Sequence, residues 1–287
     1  MSENIVVTCD STTDLSKELI ERYSINVLPL GVALGDKTYK DGVDITPDDI
    51  FEHNRKTGEL PKTAATSIGE CEDFFEQFVK EGKTVIHLTL SSTMSSNYNN
   101  ACIAAEEVGN VYVVDTKNLS TGGGLLVLKA VDFVNEGLDA ETIVKKLNEL
   151  TKYVDASFVI DNLDYLHQGG RCSALSVLGA NLLKLKPSID VTDGVMGLCK
   201  KYRGRFIDVI KPYVAERLQD KDDIDLDRVF VTHAGCDKAI IDAEIEAVKE
   251  TLPFKEMFIT RAGCTISSHC GRECIGVLFM RKSPKAK

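Results

Sequence analysis

The sequence lacks three features that would each have indicated a class of function. It contains no tryptophan, no long run of lysine or arginine, and no stretch of about 18 apolar residues that would predict a membrane-spanning helix. The formal net charge is 34 − 44 = −10, which argues against nucleic acid as a partner. The first predicted strand is not preceded by a charged stretch followed by an apolar stretch, which is the pattern of a secretory leader. We therefore expect a cytoplasmic protein.

Cysteine is present, but not in a pattern typical of disulfide-rich or zinc-binding proteins. There are nine cysteines and no Cys-x-x-Cys pair. Cys264, His269, Cys270 and Cys274 crowd the C-terminal region and could be interpreted as a metal site. Their spacings match no common zinc pattern, so we expect buried, reduced thiols and no metal.

The order of segments favours two α/β domains, at residues 1–155 and 156–287. In the first, short apolar runs such as 4–8, 84–90 and 111–115 alternate with helical patterns, which predicts a mainly parallel sheet covered by helices. Thr46-Pro47 is typical of a helix start, and Gly58 of its end. In the second domain, Asp193-Gly194 predicts the turn of a hairpin.

A cluster of hydroxyl and amide side chains, residues 91–101, follows the apolar run 84–90 and precedes a helical segment. Ligands of open α/β sheets bind at this end of the strands, where helix N-termini suit an anion. The cluster has many neutral donors and no charge, so it suits a carboxylate or a phosphate. Serine and asparagine are also common helix caps, and this alternative stays open.

Other polar segments also lie near predicted helix starts. Residues 61–67 form a predicted loop of small polar residues, and 120–124 carry three glycines that could cradle a phosphate or allow close packing. His269 lies in a predicted loop flanked by glycine and serine. Gly169-Gly170 predicts a helix stop before Arg171, and Arg203 belongs to a basic group at residues 200–205.

Five segments together resemble the DegV family of bacterial fatty-acid-binding proteins. In order they are Asp10-Ser11-Thr12 with Asp14-Leu15; Pro61-Lys62-Thr63 with Ser67; Ser91-Ser92 with Met94-Ser95, Tyr98 and Ala101; Leu163 with Leu166 and Gly169-Gly170-Arg171; and Lys186-Pro187 with Asp193-Gly194, Lys201 and Arg203. A sixth segment, ending in His269, matches in part, because Gly271-Arg272-Glu273 replaces the family's Gly-Pro-Gly one residue along.

The resemblance implies a carrier with no turnover of its own. A long-chain fatty acid such as palmitate or stearate would lie in a tunnel between the two domains, and no other cofactor is implied. Thr63 and Ser92 would hold its carboxylate, with Ser91 and Ser95 nearby. Arg171, Arg203 and His269 would lie near the headgroup or the surface that meets a separate fatty acid kinase, which phosphorylates the carboxylate. Peripheral contact with a membrane would allow lipid exchange.

Two other functions remain open from the residues alone. One is a serine hydrolase that uses Ser92 with His233 or His269, although the G-x-S-x-G elbow is missing. The other is a regulatory module that binds a small anion through Gly122–Gly124 and the basic group at 200–205.

Overall fold

The computed structural model describes residues 4–170 and 185–285. Its strands are β1 (Ile5–Asp10), β2 (Asn26–Leu28), β3 (Gly31–Leu34), β4 (Lys37–Lys40), β5 (Lys62–Ala64), β6 (Thr84–Thr89), β7 (Val111–Asp115), β8 (Val154–Ile160), β9 (Leu185–Thr192), β10 (Val195–Arg203), β11 (Ile224–His233), β12 (Glu256–Arg261) and β13 (Cys274–Arg281). Its α-helices are α1 (Lys17–Arg22), α2 (Pro47–Thr57), α3 (Ile68–Val79), α4 (Asn97–Val108), α5 (Ser120–Asn135), α6 (Ala140–Leu150), α7 (Asp164–Gly169), α8 (Phe206–Arg217), α9 (Lys238–Thr251) and α10 (Cys264–Cys270).

The N-terminal half contains a parallel four-stranded sheet in the order β2-β1-β6-β7. Adjacent residues of β6 enter different cores, because side chains alternate across a strand. Val85 packs with α3 and α4, whereas Ile86 packs with α5 and α6. Both are fully buried, which explains the continuous apolar run and confirms the predicted parallel sheet covered by helices.

The C-terminal half contains a six-stranded sheet in the order β10-β9-β8-β13-β11-β12. Only β11 and β12 pair in parallel; the other neighbours are antiparallel. The predicted hairpin is present between β9 and β10. Its turn residues Asp193 and Gly194 have φ angles of 48° and 81°, the two positive values that a type I′ turn requires.

Helix α5 packs between the two sheets and contacts strands of both. The strands of the first sheet end at Asp115 and those of the second begin at Val154, so the chain is a two-domain α/β protein. The predicted domain boundary after residue 155 falls inside β8, which begins at Val154. Among the described helices, none has the length and apolarity needed to cross a bilayer.

A third, antiparallel sheet has the order β4-β3-β5 and positions Thr63, which pairs with Val32. The predicted loop at 61–67 is therefore wrong for Lys62–Ala64, which form β5. The strand forms because its backbone pairs with β3. The small polar side chains of this segment do not predict that pairing. The helix predicted from Thr46-Pro47 is confirmed as α2, with a capping box at Thr46 and left-handed Gly58 after it.

Two further local predictions are wrong. Gly122–Gly124 lie inside α5 instead of in a loop before it. A Cβ at Gly122 would lie 2.1 Å from Asn118 Oδ1, and one at Gly124 would lie 2.9 Å from Leu15 Cδ2, so the glycines allow close packing. His269 lies in helix α10, not in a loop, because its segment packs against α2 and α7.

Candidate functional site

A cavity of about 300 Å³ lies between the two halves of the chain. This is at the lower end of the range of about 300–1,000 Å³ that is usual for small-molecule sites. Its wall is mainly apolar and includes Leu30, Leu90 and Leu119 from the first half and Phe158 and Leu278 from the second. Of the described residues that line it, none is lysine or arginine.

In one part of the cavity wall, a hydrogen bond connects strand β5 to helix α10. Thr63 Oγ1 lies 2.8 Å from His269 Nε2, and both residues line the cavity. When Nε2 carries the ring proton, it donates to Oγ1, and the hydroxyl hydrogen of Thr63 can then donate to a third group. The pair can therefore present a neutral donor to a bound anion.

Ser95 supplies a second hydroxyl to the same cavity. Its Oγ accepts a hydrogen bond of 3.2 Å from the backbone N–H of Asn97. A serine hydroxyl that accepts from a backbone N–H keeps its own hydrogen for another acceptor. Ser96 also lines the cavity, so the loop before α4 contributes two hydroxyls.

A buried carboxylate fixes the position of this loop. Asp10, at the end of β1, accepts from the N–H of Thr12 at 3.0 Å, the N–H of Leu90 at 2.8 Å and the side-chain amide of Asn97 at 2.8 Å. Asn97 also accepts from the N–H of Thr66 at 3.1 Å, which ties the segment after β5 to the start of α4. Burial raises the pKa of Asp10, and these hydrogen bonds oppose the rise.

Two more carboxylates fix the start of α10. Asp41 accepts from the N–H groups of Cys264 at 2.7 Å and Thr265 at 2.9 Å, and Asp14 accepts from the N–H of Gly263 at 2.7 Å. The hydroxyl of Ser120, a cavity residue, donates to Asp14. Burial raises the pKa of Asp14 well above its ordinary value. The N-terminal half thus holds the helix that carries His269.

Gly169 makes room for the His269 ring. A Cβ at this position would lie only 2.6 Å from His269 Nδ1, and Gly170 adopts a left-handed φ of 67° after α7. The predicted helix stop at Gly169-Gly170 is therefore confirmed, and close approach to His269 accounts for the first glycine. The next predicted site residue, Arg171, lies outside the described residues.

The other predicted site residues do not line the cavity. Ser92 is exposed, and its hydroxyl donates to Asp115 at 2.6 Å, at the end of the neighbouring strand β7. Ser91 is buried and donates to the carbonyl of Gly194 at 3.2 Å. Arg203 is exposed at the end of β10. The structure therefore places Thr63, Ser95 and His269 on the wall of one cavity and Ser92 outside that wall.

These placements also bear on the alternative functions. Ser92 donates to the carboxylate of Asp115, and neither His233 nor His269 is its hydrogen-bond partner within the described residues, so the predicted serine–histidine pairing is not formed. Gly122–Gly124 have no loop geometry with which to surround a phosphate. Within residues 4–170 and 185–285, no group of three or more histidine, cysteine or acidic side chains is arranged to hold a metal ion.

Eight of the nine cysteines lie in the described residues, and all eight are free thiols. Cys270 and Cys274 line the cavity. The interaction with Cys270 and burial raise the pKa of the Cys274 thiol well above its ordinary value, so it stays protonated at neutral pH.

Comparison with known proteins identifies the family. The model of the family described as "Uncharacterised protein, DegV family" matches residues 4–282. The chain belongs to the DegV family. It is 34% identical over 285 residues to a DegV domain-containing protein of Staphylococcus aureus, a match that covers 98% of this chain and 100% of the relative.

Solved structures of the family show the same fold. The structure of a fatty-acid-binding DegV family protein from Thermus thermophilus is similar with a TM-score of 0.89 and 28% identity, covering 97% of this chain and 99% of that one. A stearic-acid-binding protein from Eubacterium ventriosum is similar with a TM-score of 0.85 and 28% identity, covering 96% and 98%. Both of these neighbours are fatty-acid-binding proteins.

Several polar residues of the cavity were not singled out by the sequence as ligand contacts. They are Ser96, Ser120, Ser157, Thr232 and Thr265. Ser96 and Ser120 belong to segments that the sequence marks as polar, before helices. Ser157 and Thr232 lie in strands and Thr265 lies in helix α10. None of the three carries a local signal, because a single hydroxyl in such a segment is usually structural.

Proposed function

We propose that this chain binds a long-chain fatty acid in the cavity between its two domains. The carboxylate lies at Thr63, Ser95 and His269, and the acyl chain extends along the apolar wall. The observation that carries the proposal is the hydrogen bond between Thr63 and His269 in the wall of a mainly apolar cavity. Fatty acid binding by the similar DegV structures supports it.

Burial of the acyl chain supplies enough free energy that the site for the carboxylate needs no charged side chain. Burying each CH₂ contributes about 0.8 kcal/mol, so a long acyl chain supplies on the order of 10 kcal/mol before ordering costs. The carboxylate then needs only a few neutral hydrogen bonds, and the hydroxyls of Thr63 and Ser95 can donate them. We assign the second hydroxyl to Ser95 instead of Ser92, because Ser95 lines the cavity and Ser92 is bonded to Asp115.

The family resemblance extends the proposal to a partner. The bound carboxylate would be presented to a separate fatty acid kinase, which would supply the turnover that this chain lacks. Arg203 is exposed, as a residue on such a docking surface must be. Phosphorylation of the bound fatty acid by the kinase, measured with and without Arg203→Ala, tests this part.

Native mass spectrometry and lipid extraction of the purified protein test the binding itself. We expect a bound fatty acid, and Thr63→Val and Ser95→Ala should each lower affinity by about 10- to 100-fold, the range for losing a hydrogen bond to a charged group. Ser92→Ala is the matched control and should leave affinity unchanged. A purified protein that takes up no fatty acid would overturn the proposal, and loss of binding in Ser92→Ala alone would move the carboxylate to Ser92.

A further inference from the structure

The two hydroxyls assigned to the headgroup lie on segments that one buried side chain connects. Thr63 lies in β5, Ser95 lies in the loop before α4, and both residues line the cavity. Asn97 is the first residue of α4 and is fully buried, although it does not line the cavity itself. Its backbone N–H donates to Ser95 Oγ at 3.2 Å and so restrains the Ser95 side chain.

The side chain of Asn97 binds the segment that follows β5. Its Oδ1 accepts from the backbone N–H of Thr66 at 3.1 Å and also from the Thr66 hydroxyl. Asn100, three residues further along α4, donates from its side-chain amide to the Thr66 carbonyl at 2.7 Å. Thr66 follows Thr63 by three residues, which an extended chain spans in at most about 11 Å. The start of α4 therefore holds the segment that carries Thr63.

The other side of the same amide binds a carboxylate. Asn97 Nδ2 donates to Asp10 Oδ2 at 2.8 Å. A backbone N–H can only donate and an ionised carboxylate can only accept, so Thr66 and Asp10 together fix the orientation of the amide. An amide presents an acceptor and a donor on opposite sides at once. Aspartate and leucine have a similar shape but cannot satisfy both partners.

These hydrogen bonds are costly to lose because Asn97, Thr66 and Asp10 are all buried. Without the amide, the Thr66 N–H and one side of the Asp10 carboxylate would lack a partner in a region that solvent does not reach. The segment after β5 and the start of α4 would then settle at a different separation. The spacing between the two hydroxyl-bearing segments thus depends on this one side chain.

We propose that Asn97 is a positioning residue that sets the separation of the Thr63 and Ser95 hydroxyls and thereby makes the cavity selective for a headgroup with two oxygens. A carboxyl group can bond to both hydroxyls at once. An alcohol has a single oxygen and does not need the hydroxyls at a fixed separation. The inference rests on the proposed function, because it assumes that a fatty acid binds with its carboxyl group at Thr63 and Ser95.

The experiment compares palmitate with 1-hexadecanol, which has the same number of carbons but a headgroup with one oxygen. Displacement of a fluorescent fatty acid from the full-length protein gives both affinities. Asn97→Ala should lower the affinity for palmitate about tenfold, the effect of misaligning one hydrogen bond to a charged group, and that for hexadecanol less than about twofold. Equal losses for the two ligands, or an unchanged affinity for palmitate, would overturn the inference.

A double-mutant cycle with Thr63→Val separates positioning from a general structural effect. Once the Thr63 hydroxyl is absent, its separation from the Ser95 hydroxyl no longer matters. Asn97→Ala should then lower the affinity for palmitate by no more than about threefold, because residues of one network do not act additively. Additive losses in the cycle would show that Asn97 does not act through the Thr63 hydroxyl, and would count against the inference.

Thr8→Val is the matched control for the loss of a buried hydrogen bond elsewhere. Thr8 Oγ1 lies 2.8 Å from His87 Nδ1, and both residues are fully buried without lining the cavity. This variant should lower stability and leave the ratio of the palmitate and hexadecanol affinities unchanged. A change in the ratio as large as that in Asn97→Ala would mean that general destabilisation produces the effect.

Thr66→Val tests the same contact from the opposite side and covers the case in which Asn97→Ala does not fold. It keeps the shape of Thr66 and its backbone N–H but removes the hydroxyl that donates to Asn97. The preference for palmitate over hexadecanol should fall about threefold, and an unchanged preference would overturn the inference while fatty acid binding stands. If the native protein does not bind palmitate, the proposed function fails, and the inference fails with it.

Discussion

Thr63 Oγ1 lies 2.8 Å from His269 Nε2, although 206 positions separate the two residues in the chain. The bond connects the short strand β5 to helix α10 in the wall of the cavity. Asp41 and Asp14 hold the start of α10, and Gly169 leaves space for the histidine ring. The proposed headgroup site should therefore be sensitive to changes at residues outside the cavity wall.

Gly169→Ala tests this dependence. The new Cβ would lie 2.6 Å from His269 Nδ1, so the ring must move and its hydrogen bond with Thr63 must change in geometry. We expect fatty acid affinity to fall about tenfold, the cost of weakening one hydrogen bond to a charged group, and stability to fall by about 1–3 kcal/mol from overpacking. Fluorescent fatty acid displacement and urea unfolding measure the two effects.

Gly69→Ala is the matched control for that variant. Gly69 lies in α3, and a Cβ there would meet nothing within 4 Å. Alanine favours the helix by roughly 0.5–1 kcal/mol, so this variant should be slightly more stable and bind normally. Unchanged binding in Gly169→Ala would show that the ring position does not matter for the ligand.

Gly122→Ala distinguishes close packing from anion binding at the start of α5. A Cβ at Gly122 would lie 2.1 Å from Asn118 Oδ1 and 3.0 Å from Ala156 Cβ. We expect destabilisation of about 1–3 kcal/mol in urea unfolding, because the helix must move away from its neighbours. Inorganic phosphate should not change the melting temperature of the native protein. A phosphate-dependent shift that Gly122→Ala removes would restore the anion hypothesis.

The buried carboxyl group of Glu244 should make the stability of the protein depend on pH. It is fully buried in α9, near Tyr213, Cys236 and Cys274, and neither carboxyl oxygen has a partner within the described residues. Burial raises its pKa from 4.5 to about 8. The folded protein therefore binds this proton more tightly than the unfolded chain, and the free energy of unfolding should fall as the pH rises from about 4.5 to about 8.

Glu244→Gln should remove most of that fall. At pH 7 the raised pKa of Glu244 lowers the free energy of unfolding of the native protein by about 3 kcal/mol. The variant should therefore gain stability relative to the native protein as the pH rises, measured by urea unfolding between pH 5 and pH 8. Parallel profiles for the two proteins would contradict the assignment.

Asp155 in β8 forms a buried cluster with basic side chains. Its two oxygens accept from Arg217 and, at 2.7 Å, from Arg281 Nε. Burial by itself would raise the pKa of Asp155, but the charges of Arg217, Lys285 and Arg281 lower it overall. The stabilisation is therefore present above the ordinary carboxyl pKa and is lost as the pH falls through the lowered one.

Asp155→Asn should cost about 3–5 kcal/mol at neutral pH, because it leaves Arg217 buried beside a neutral group. Asp208→Asn is the matched control: it removes an exposed pair with Arg205, which solvent screens, so its loss of stability should be much smaller. Chemical unfolding of the two variants measures the difference. Equal, small losses would show that Asp155 contributes no more than a surface ion pair.

The sequence by itself determined much of the local structure and the fold class. Apolar runs gave the parallel strands, Thr46-Pro47 and Gly58 bounded α2, and Asp193-Gly194 formed the hairpin turn. These features depend on periodicity, caps and turns, which act over a few residues and are visible in the chain. The ordered set of motifs, which resembles the DegV family, also indicated the family from the sequence alone.

Only the tertiary structure decided which hydroxyls face the cavity. Ser92 and Ser95 look equivalent in the sequence, but hydrogen bonding to Asp115 on β7 keeps Ser92 at the surface, and Ser95 lines the cavity. The partner of Thr63 is likewise a consequence of how α10 packs against the N-terminal half. Such contacts join residues far apart in the chain, and their energies depend on packing that no local pattern records.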